Sequence, residues 1–169
     1  MKRKSIFLTL IILTSILLNV SILSAQEKNK FDSELFSITG PKGWKMEADR
    51  NSWMPVKYIN NINNSAVFKE TINVSFANPE ESKDEFINGL KKQVDNFIVI
   101  KQGNKKVKNK NTEWIVYTYT YKNFKIKGKV YFFGNKDKPG LLVGYTSNIS
   151  SYGRFLEEFE KTVDSTVLY

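Results

Sequence analysis

Apolar and polar residues alternate along much of the chain, which is the period of a β-strand that buries one of its faces. The alternation is clearest in residues 66–77, where Phe68, Ile72, Val74 and Phe76 share one side and polar residues take most of the other. The same period predicts further strands at 35–38, 113–121, 124–133 and 141–146. Turn-forming Gly, Asn and Pro residues separate several of these segments, so neighbouring strands are expected to pair as antiparallel hairpins.

Two segments instead repeat their apolar residues every three or four positions, as an amphipathic helix does. The first follows Ser82 and Glu85, which fit a capping box at a helix N-terminus. Its apolar stripe consists of Phe86, Leu90, Val94 and Phe97. The second begins at Ser150 or Ser151, and its stripe consists of Phe155, Phe159 and Val163. This order of elements predicts an α+β domain, in which a largely antiparallel β-sheet is flanked by helices.

A turn interrupts the alternation in the segment FSITGPKGW, residues 36–44. Pro41 presets the backbone angle φ, and Gly40 or Gly43 can adopt a positive φ. The segment is therefore predicted to form a β-hairpin or a tight corner. We expect Trp44 to pack back across this corner and to lie in the core.

The N-terminal 25 residues have a composition of their own. Lys2, Arg3 and Lys4 precede an apolar stretch, and Ala25 is a small residue directly before a polar segment. This pattern predicts a secretory signal peptide and export to the periplasm or the medium after cleavage near Ala25. The uncharged stretch is also long enough for a retained membrane anchor, which is the alternative. The predicted organisation is a signal peptide (1–25), a flexible lead-in (26–33) and one domain (34–169).

The chain contains neither cysteine nor histidine. Their absence excludes disulfides, thiol nucleophiles, Ser–His and Cys–His catalytic pairs, and thiolate or imidazole metal ligands. We therefore expect no enzymatic activity, no cofactor and no metal site. The formal net charge is +9, or about +6 once the three basic residues of the leader are removed. This moderate charge fits either solubility or affinity for anionic surfaces, and no nucleic-acid partner is expected.

The most suggestive surface feature is a set of lysines in the second half of the chain. If residues 101–111 and 122–129 form the same end of the sheet, these lysines make a basic patch beside Tyr117, Tyr119 and Tyr121. Such a patch would attract anionic lipids or envelope polymers. The alternative is a solvated strand face, on which lysines also prevent edge-to-edge aggregation. The predicted anion-binding residues are Lys101, Lys105, Lys106, Lys108, Lys110, Lys125, Lys127 and Lys129.

A second candidate surface lies in the asparagine-rich segment 49–65. Trp53, Met54 and Tyr58 are large side chains in this polar setting, which is predicted to be a loop with a short strand near residues 56–59. These three side chains either cover the edge of the core or form the lip of a partner-binding surface.

The order of elements and several short motifs resemble the PsbP/Mog-like fold. This superfamily includes the photosystem II subunit PsbP, a Ran-binding nuclear import factor and exported bacterial proteins of the DcrB type. The matching segments are Phe36-Ser37-Ile38, Pro41-Lys42-Gly43-Trp44, Ile72-Asn73-Val74-Ser75, Glu85-Phe86, the Trp114 strand, Gly144-Tyr145-Thr146 and the helix at 155–165. The resemblance covers most of 34–169 and implies an α/β/α sandwich, no shared enzymatic activity, and a role in binding other macromolecules. The histidines that contribute to metal sites in some PsbP proteins have no counterpart in this chain.

Two functions fit these observations. The first is an exported, non-enzymatic accessory or binding module that engages a protein or an anionic component of the cell envelope, with peripheral membrane contact. The alternative is a small-ligand carrier, or a weak hydrolase, with a pocket between helix and sheet. A flat aromatic and basic face would favour the first function, and a concave pocket with a polar cluster would favour the second.

Overall fold

The structure, a computed structural model, describes residues 29–61, 68–77, 83–134 and 140–169. Its strands are β1 (Lys30–Asp32), β2 (Phe36–Thr39), β3 (Lys45–Ala48), β4 (Val56–Ile59), β5 (Thr71–Ala77), β6 (Asp95–Val107), β7 (Lys110–Tyr121), β8 (Phe124–Phe133), β9 (Gly140–Asn148) and β10 (Val167–Leu168). Its helices are α1 (Lys83–Gln93) and α2 (Leu156–Ser165), and a 3-10 turn (Tyr152–Phe155) leads directly into α2. The described part of the chain is therefore α+β, as the sequence predicts.

The larger of two sheets has seven strands in the order β3-β4-β5-β9-β8-β7-β6, and every pairing in it is antiparallel. Strands β6 to β9 follow one another as a meander, and β9 then pairs with β5. The smaller sheet has the order β1-β2-β10 and is also antiparallel. The prediction of a largely antiparallel sheet flanked by helices is confirmed.

The segment 36–44 carries the chain from the small sheet into the large one. Strand β2 ends before the turn, Gly43 adopts a φ of 83°, and β3 begins directly after Trp44. Trp44 is only 4% exposed, and its ring meets that of Phe155 edge-on at a centroid distance of 5.6 Å. The segment is thus a corner between sheets, and the predicted burial of Trp44 is confirmed.

The two faces of the large sheet are packed differently. The face toward α2 carries the main core, in which Phe159 of α2 stacks on Tyr145 at a ring distance of 5.4 Å. The face toward α1 carries a smaller cluster, in which Phe86 of α1 meets Tyr117 edge-on at 6.0 Å. Three residues of α2 are buried, whereas no residue of α1 is. Helix α1 is therefore the more thinly packed of the two.

Several boundaries differ from the prediction: β5 begins at Thr71 and the last α-helix at Leu156, and two further differences have a clear physical cause. Residues Lys30–Asp32 form β1 instead of belonging to a flexible lead-in, because Phe31 is buried against the ring of Phe36 at 5.2 Å. Helix α1 ends at Gln93, and Phe97 lies in β6 although the helical spacing places it on the α1 stripe. Pairing with β7 overrides that spacing, since Phe97 stacks there on a tyrosine ring.

Some predicted features lie outside the described residues, namely the signal peptide (1–25) and the capping residue Ser82. Export and cleavage near Ala25 consequently stay predictions. Neither α1 nor α2, the helices of the described ranges, has the length and apolar character that crossing a membrane requires.

Candidate functional site

A groove of about 470 Å³ lies between α1 and the large sheet. Its walls are more apolar than polar, and its volume falls within the roughly 300–1,000 Å³ of small-molecule sites. The helix contributes Glu85, Phe86, Gly89, Leu90 and Gln93, and strands β5, β7, β8 and β9 contribute the opposite side. This is the concave helix–sheet pocket that the second functional hypothesis requires.

Aromatic rings form one wall of the groove. Phe86 meets the rings of Tyr117 and Phe132 edge-on, at centroid distances of 6.0 and 5.4 Å. Tyr117 in turn stacks with Tyr119 at 6.1 Å, along the same face of β7. Since each ring is held by its neighbours, this wall is formed without a ligand.

A glycine in α1 keeps the groove open. Gly89 faces the groove, and a Cβ at this position would meet no atom of the described residues within 4 Å. A glycine inside a helix costs about 1 kcal/mol of stability relative to alanine. The chain therefore gives up helix stability at a position that borders the groove, where a long side chain would have open space to occupy.

The floor of the groove is polar where β5 and β9 run side by side. Asn73, Ser75 and Thr146 line it there. The Asn73 amide nitrogen makes a long hydrogen bond of 3.4 Å to Thr71 Oγ1, whereas Asn73 Oδ1 is buried and has no hydrogen-bond partner among the described residues. A buried acceptor without a partner costs roughly 1–3 kcal/mol. A ligand that donates a hydrogen bond here would recover that cost.

The titratable groups in the described lining are one carboxylate and two phenols. Burial raises the pKa of Tyr117 and that of Tyr119, so both hydroxyls stay neutral at physiological pH. Glu85 supplies the carboxylate. Apart from the Glu85 carboxylate, the lining offers neutral hydrogen-bonding groups beside apolar walls, which is an arrangement suited to holding an uncharged amphipathic molecule.

Two of the three predicted lip residues border this groove. Trp53 is 69% exposed, and Met54 lies beside it in the lining. Their loop is tied to β5, because the Phe76 N–H donates to the Trp53 carbonyl oxygen at 2.8 Å. The prediction is wrong for Tyr58, which alternates onto the core face of β4, is fully buried, and donates its hydroxyl to the Ile38 carbonyl oxygen at 3.3 Å.

The predicted basic patch is divided along the sheet. Lys105 lies opposite Thr112 near the β6–β7 turn, whereas Lys125 lies opposite Thr120 near the β7–β8 turn. The premise that residues 101–111 and 122–129 share one end is wrong, since consecutive turns of a meander lie at opposite ends of the sheet. Four lysines lie toward the β6–β7 turn, namely Lys105, Lys106, Lys108 and Lys110. Lys125 and Lys127 lie toward the β7–β8 turn. Lys101 and Lys129 lie between the two groups, on either side of Val116.

Most lysines on the sheet also face away from the tyrosines that were expected beside them, whereas Lys106, opposite Asn111, shares the face of Tyr117. Tyr117 belongs to the cluster under α1, whereas Lys129 and Lys127 lie on the α2 face. There Lys129 Nζ is 4.5 Å from the centre of the Trp114 ring, and Lys127 Nζ is 4.6 Å from that of Tyr152. The alternation along β7 explains this, because it places Trp114 and Tyr117 on opposite faces.

Two lysines of the predicted set belong to an internal ion-pair cluster. Glu160 on α2 accepts hydrogen bonds from Lys129 Nζ at 2.6 Å, Lys105 Nζ at 3.0 Å and Tyr131 OH at 2.8 Å. Lys105 also pairs with Asp164 at 2.7 Å. Burial opposes ionisation of Glu160, but these hydrogen bonds outweigh it and hold its pKa below the ordinary value. The cluster fastens α2 to the sheet, and anion binding by the remaining lysines stays a prediction.

The sequence suggested a helix–sheet pocket only as an alternative, and the position of the groove and its polar floor were missed. One signal was Gly89, which interrupts the helical segment without ending it. Another was the face of β5 and β9 that points away from the main core. Its residues Asn73, Ser75, Gly144 and Thr146 are small or polar, whereas the alternate residues of both strands fill the core. A sheet face of small and polar residues beneath a helix leaves space that side chains do not fill.

No protein-family model and no curated protein matches the chain. Solved structures are similar to it in fold. LpqN, involved in cell envelope biogenesis of Mycobacterium tuberculosis, has a TM-score of 0.59 at 8% identity, covering 79% of this chain and 82% of that one. Cyanobacterial PsbP (CyanoP) from Synechocystis sp. PCC 6803 has a TM-score of 0.55 at 9% identity, covering 83% and 91%. PA94 from Pseudomonas aeruginosa, a protein of unknown function, has a TM-score of 0.53 at 10% identity, covering 82% of this chain and 94% of that one. The chain therefore has the PsbP-like fold that its motifs imply.

Proposed function

We propose that this protein is an exported, non-enzymatic binding module of the cell envelope that holds an uncharged, single-chain amphipathic ligand in the groove between α1 and the sheet. The proposal depends on one observation. A largely apolar groove of about 470 Å³ contains a buried acceptor, Asn73 Oδ1, without a partner among the described residues. An apolar chain would cover the aromatic wall, and a hydroxyl or amide N–H of the ligand's head group would donate to this oxygen.

The envelope setting has separate support. The leader pattern in residues 1–25 predicts export. The similar protein LpqN is involved in cell envelope biogenesis, although the similarity itself is one of fold. Amphipathic single-chain molecules are available at a membrane surface, where a module of this kind would meet them.

The competing anionic-surface function receives less support from the geometry. Lys105 and Lys129 are paired with Glu160, and Lys125, which lies opposite Thr120, is far along β7 from Lys105, which lies opposite Thr112. Exposed charges separated by more than about 8 Å act almost independently at physiological ionic strength. The groove is therefore the better supported site.

The test is a displacement titration with phenylnaphthylamine, a dye that fluoresces strongly in apolar sites. Wild-type protein should enhance the dye's emission, and monopalmitoylglycerol should reverse the enhancement. Gly89→Leu places a branched side chain in the open space and should weaken dye binding at least about tenfold, a free-energy change of about 1.4 kcal/mol. Gly89→Ala is the matched control and should retain binding, because a single methyl group leaves most of the groove free.

The Asn73 acceptor is tested by a pair of competitors. Monopalmitoylglycerol carries hydroxyl donors, whereas methyl palmitate offers only acceptors, so the first should compete better in the wild type. In Asn73→Val the difference should disappear, because the orphan oxygen is gone. Unchanged dye binding in a folded Gly89→Leu protein, as judged by circular dichroism, would refute the groove as the site, and no dye enhancement by the wild type would refute the proposal.

A further inference from the structure

The outer edge of β6 is a second surface, independent of the groove. Strand β6 is the last strand of the large sheet, and within the described ranges no other strand pairs with its outer side. Its pairing with β7 is irregular near Asp95 and Val99 but regular from Lys101 to Val107. A regular, open edge presents backbone N–H and C=O groups with which an additional strand can pair.

The hairpin determines which backbone groups point outward. A two-residue turn joins Val107 to Lys110, and these two residues pair directly. Closing so short a turn requires that this pair exchange its N–H···O bonds, after which bonded and non-bonded pairs alternate along the hairpin. The N–H and C=O groups of Gln102, Asn104 and Lys106 therefore point away from β7.

Apolar contacts are available beside this edge. Ile98 and Ile100, two positions apart in β6, are 60% and 53% exposed and lie at the irregular stretch directly before the regular edge. A shallow groove of about 720 Å³ runs between α1 and β6, and Ile87, Ile100 and Gln102 contribute to its lining. Side chains of an added strand would fill this groove, as the specificity pockets of other strand-addition sites are filled.

The charge of the edge selects the kind of strand that fits. Exposed basic residues on β6 and its hairpin are Lys101, Lys106, Lys108 and Lys110. The nearby acids are Asp95 at the start of β6, Asp84 on α1, and Glu113, which lies 3.7 Å from Lys83. Glu160 and Asp164 are paired with Lys105. A second copy of β6 would set lysines against lysines, which is destabilising across a strand pair.

We propose that the edge of β6 over Lys101–Val107 binds an extended, acidic segment of a partner protein as an additional β-strand. The backbone groups of Gln102, Asn104 and Lys106 hydrogen-bond that segment, and Lys101, Lys106 and Lys110 attract its carboxylates. This surface lies on the opposite flank of α1 from Gly89, so it does not depend on the groove ligand.

Fluorescence anisotropy with a synthetic peptide tests the proposal. The peptide alternates glutamate and valine, is long enough to span Lys101–Val107, and carries a fluorescein label. Three changes should each weaken its binding at least about tenfold: N-methylation along the peptide, exchange of its glutamates for lysines, and the protein double variant Lys106→Gln with Lys110→Gln. Lys122→Gln, at the opposite end of the sheet, is the matched control and should bind as the wild type does. Hydrogen exchange adds a residue-level measurement, in which the amides of Gln102, Asn104 and Lys106 should be protected only with the peptide present.

The alternative results each contradict the proposal. Equal binding of the N-methylated peptide would mean that charge alone attracts it, without strand pairing. A concentration-dependent dimer in sedimentation, with the β6 amides protected in the absence of peptide, would assign the edge to a second copy. No binding of the unmodified peptide would leave the lysines as protection against aggregation. Gly89→Leu should not alter peptide binding, so failure of the groove proposal is distinguishable from failure of this one.

Discussion

Replacing Glu160 by glutamine should destabilise the fold by about 2 kcal/mol near neutral pH. The substitution keeps the shape of the side chain and removes its charge, which leaves Lys129 beside two rings and without its carboxylate. The Lys129 side chain is 12% exposed and that of Glu160 is 26% exposed. The magnitude falls between the roughly 0–1 kcal/mol of exposed ion pairs and the roughly 3–5 kcal/mol of breaking a fully buried one. It also agrees with the roughly 1.5–3 kcal/mol of a hydrogen bond to a charged group.

The pH dependence of this effect follows from the direction of the pKa shift. Hydrogen bonds from Lys129, Lys105 and Tyr131 overcome the effect of burial and hold the pKa of Glu160 below its ordinary 4.5. A carboxyl whose pKa is lower in the folded state contributes stability that is complete above its unfolded pKa. That contribution is lost as the pH falls through the folded-state pKa. The difference in unfolding free energy between wild type and Glu160→Gln should therefore be largest at neutral pH and should disappear in strong acid.

Urea unfolding followed by tryptophan fluorescence, from neutral pH into acid, measures this difference. Glu157→Gln is the control on the same helix, since Glu157 and Lys161 form an exposed pair whose side chains are 80% and 71% exposed. Its unfolding midpoint should match that of the wild type at every pH. Equal stability of Glu160→Gln and wild type at neutral pH, or a difference that persists in acid, would show that the cluster does not act through the ionised carboxylate.

Two further substitutions test the packing of the fold. Trp44→Ala should cost on the order of 3 kcal/mol, because it empties a buried site against Phe155, and an unchanged melting temperature would contradict the role of the corner. Gly128→Ala should destabilise by about 1–3 kcal/mol, since its Cβ would lie 2.5 Å from Cζ of the buried Tyr117. Gly153→Ala, where a Cβ meets no described atom within 4 Å, should be close to neutral in the same thermal melts.

The fold could be predicted from the sequence where its cause is local. In β5 and in β7 to β9, apolar residues alternate with polar ones because one face of each strand is buried. These strands could therefore be predicted from the sequence, apart from some of their end residues. The Pro41–Gly43 turn depends on backbone preferences of its own residues, and the burial of Trp44 follows from the restarted alternation. The similarity in fold to solved structures at 8–10% identity shows that this fold does not require shared residue identities.

What the sequence did not reveal depends on pairing between distant segments. The lysine-rich part of β6 contains little apolar character, and it is a strand because β7 supplies hydrogen bonds along Lys101–Val107. The ion pair of Lys129 could not be predicted, because it depends on Glu160, which belongs to a later helix that packs above β8. Tyr58 looked like a surface residue because its segment is rich in asparagine, although strand parity turns it inward.

The two proposed surfaces exist because the sheet is covered unequally. Helix α2 seals one face with buried residues and the Glu160 ion-pair cluster, whereas α1 covers the other face without burying any residue of its own. Helix α1 therefore stands between two concavities, with Gly89 facing the groove over β5 and β9 and Ile87 facing the edge of β6. The tightly packed face explains the stability of the fold, and the thinly packed face provides the surfaces on which binding is proposed.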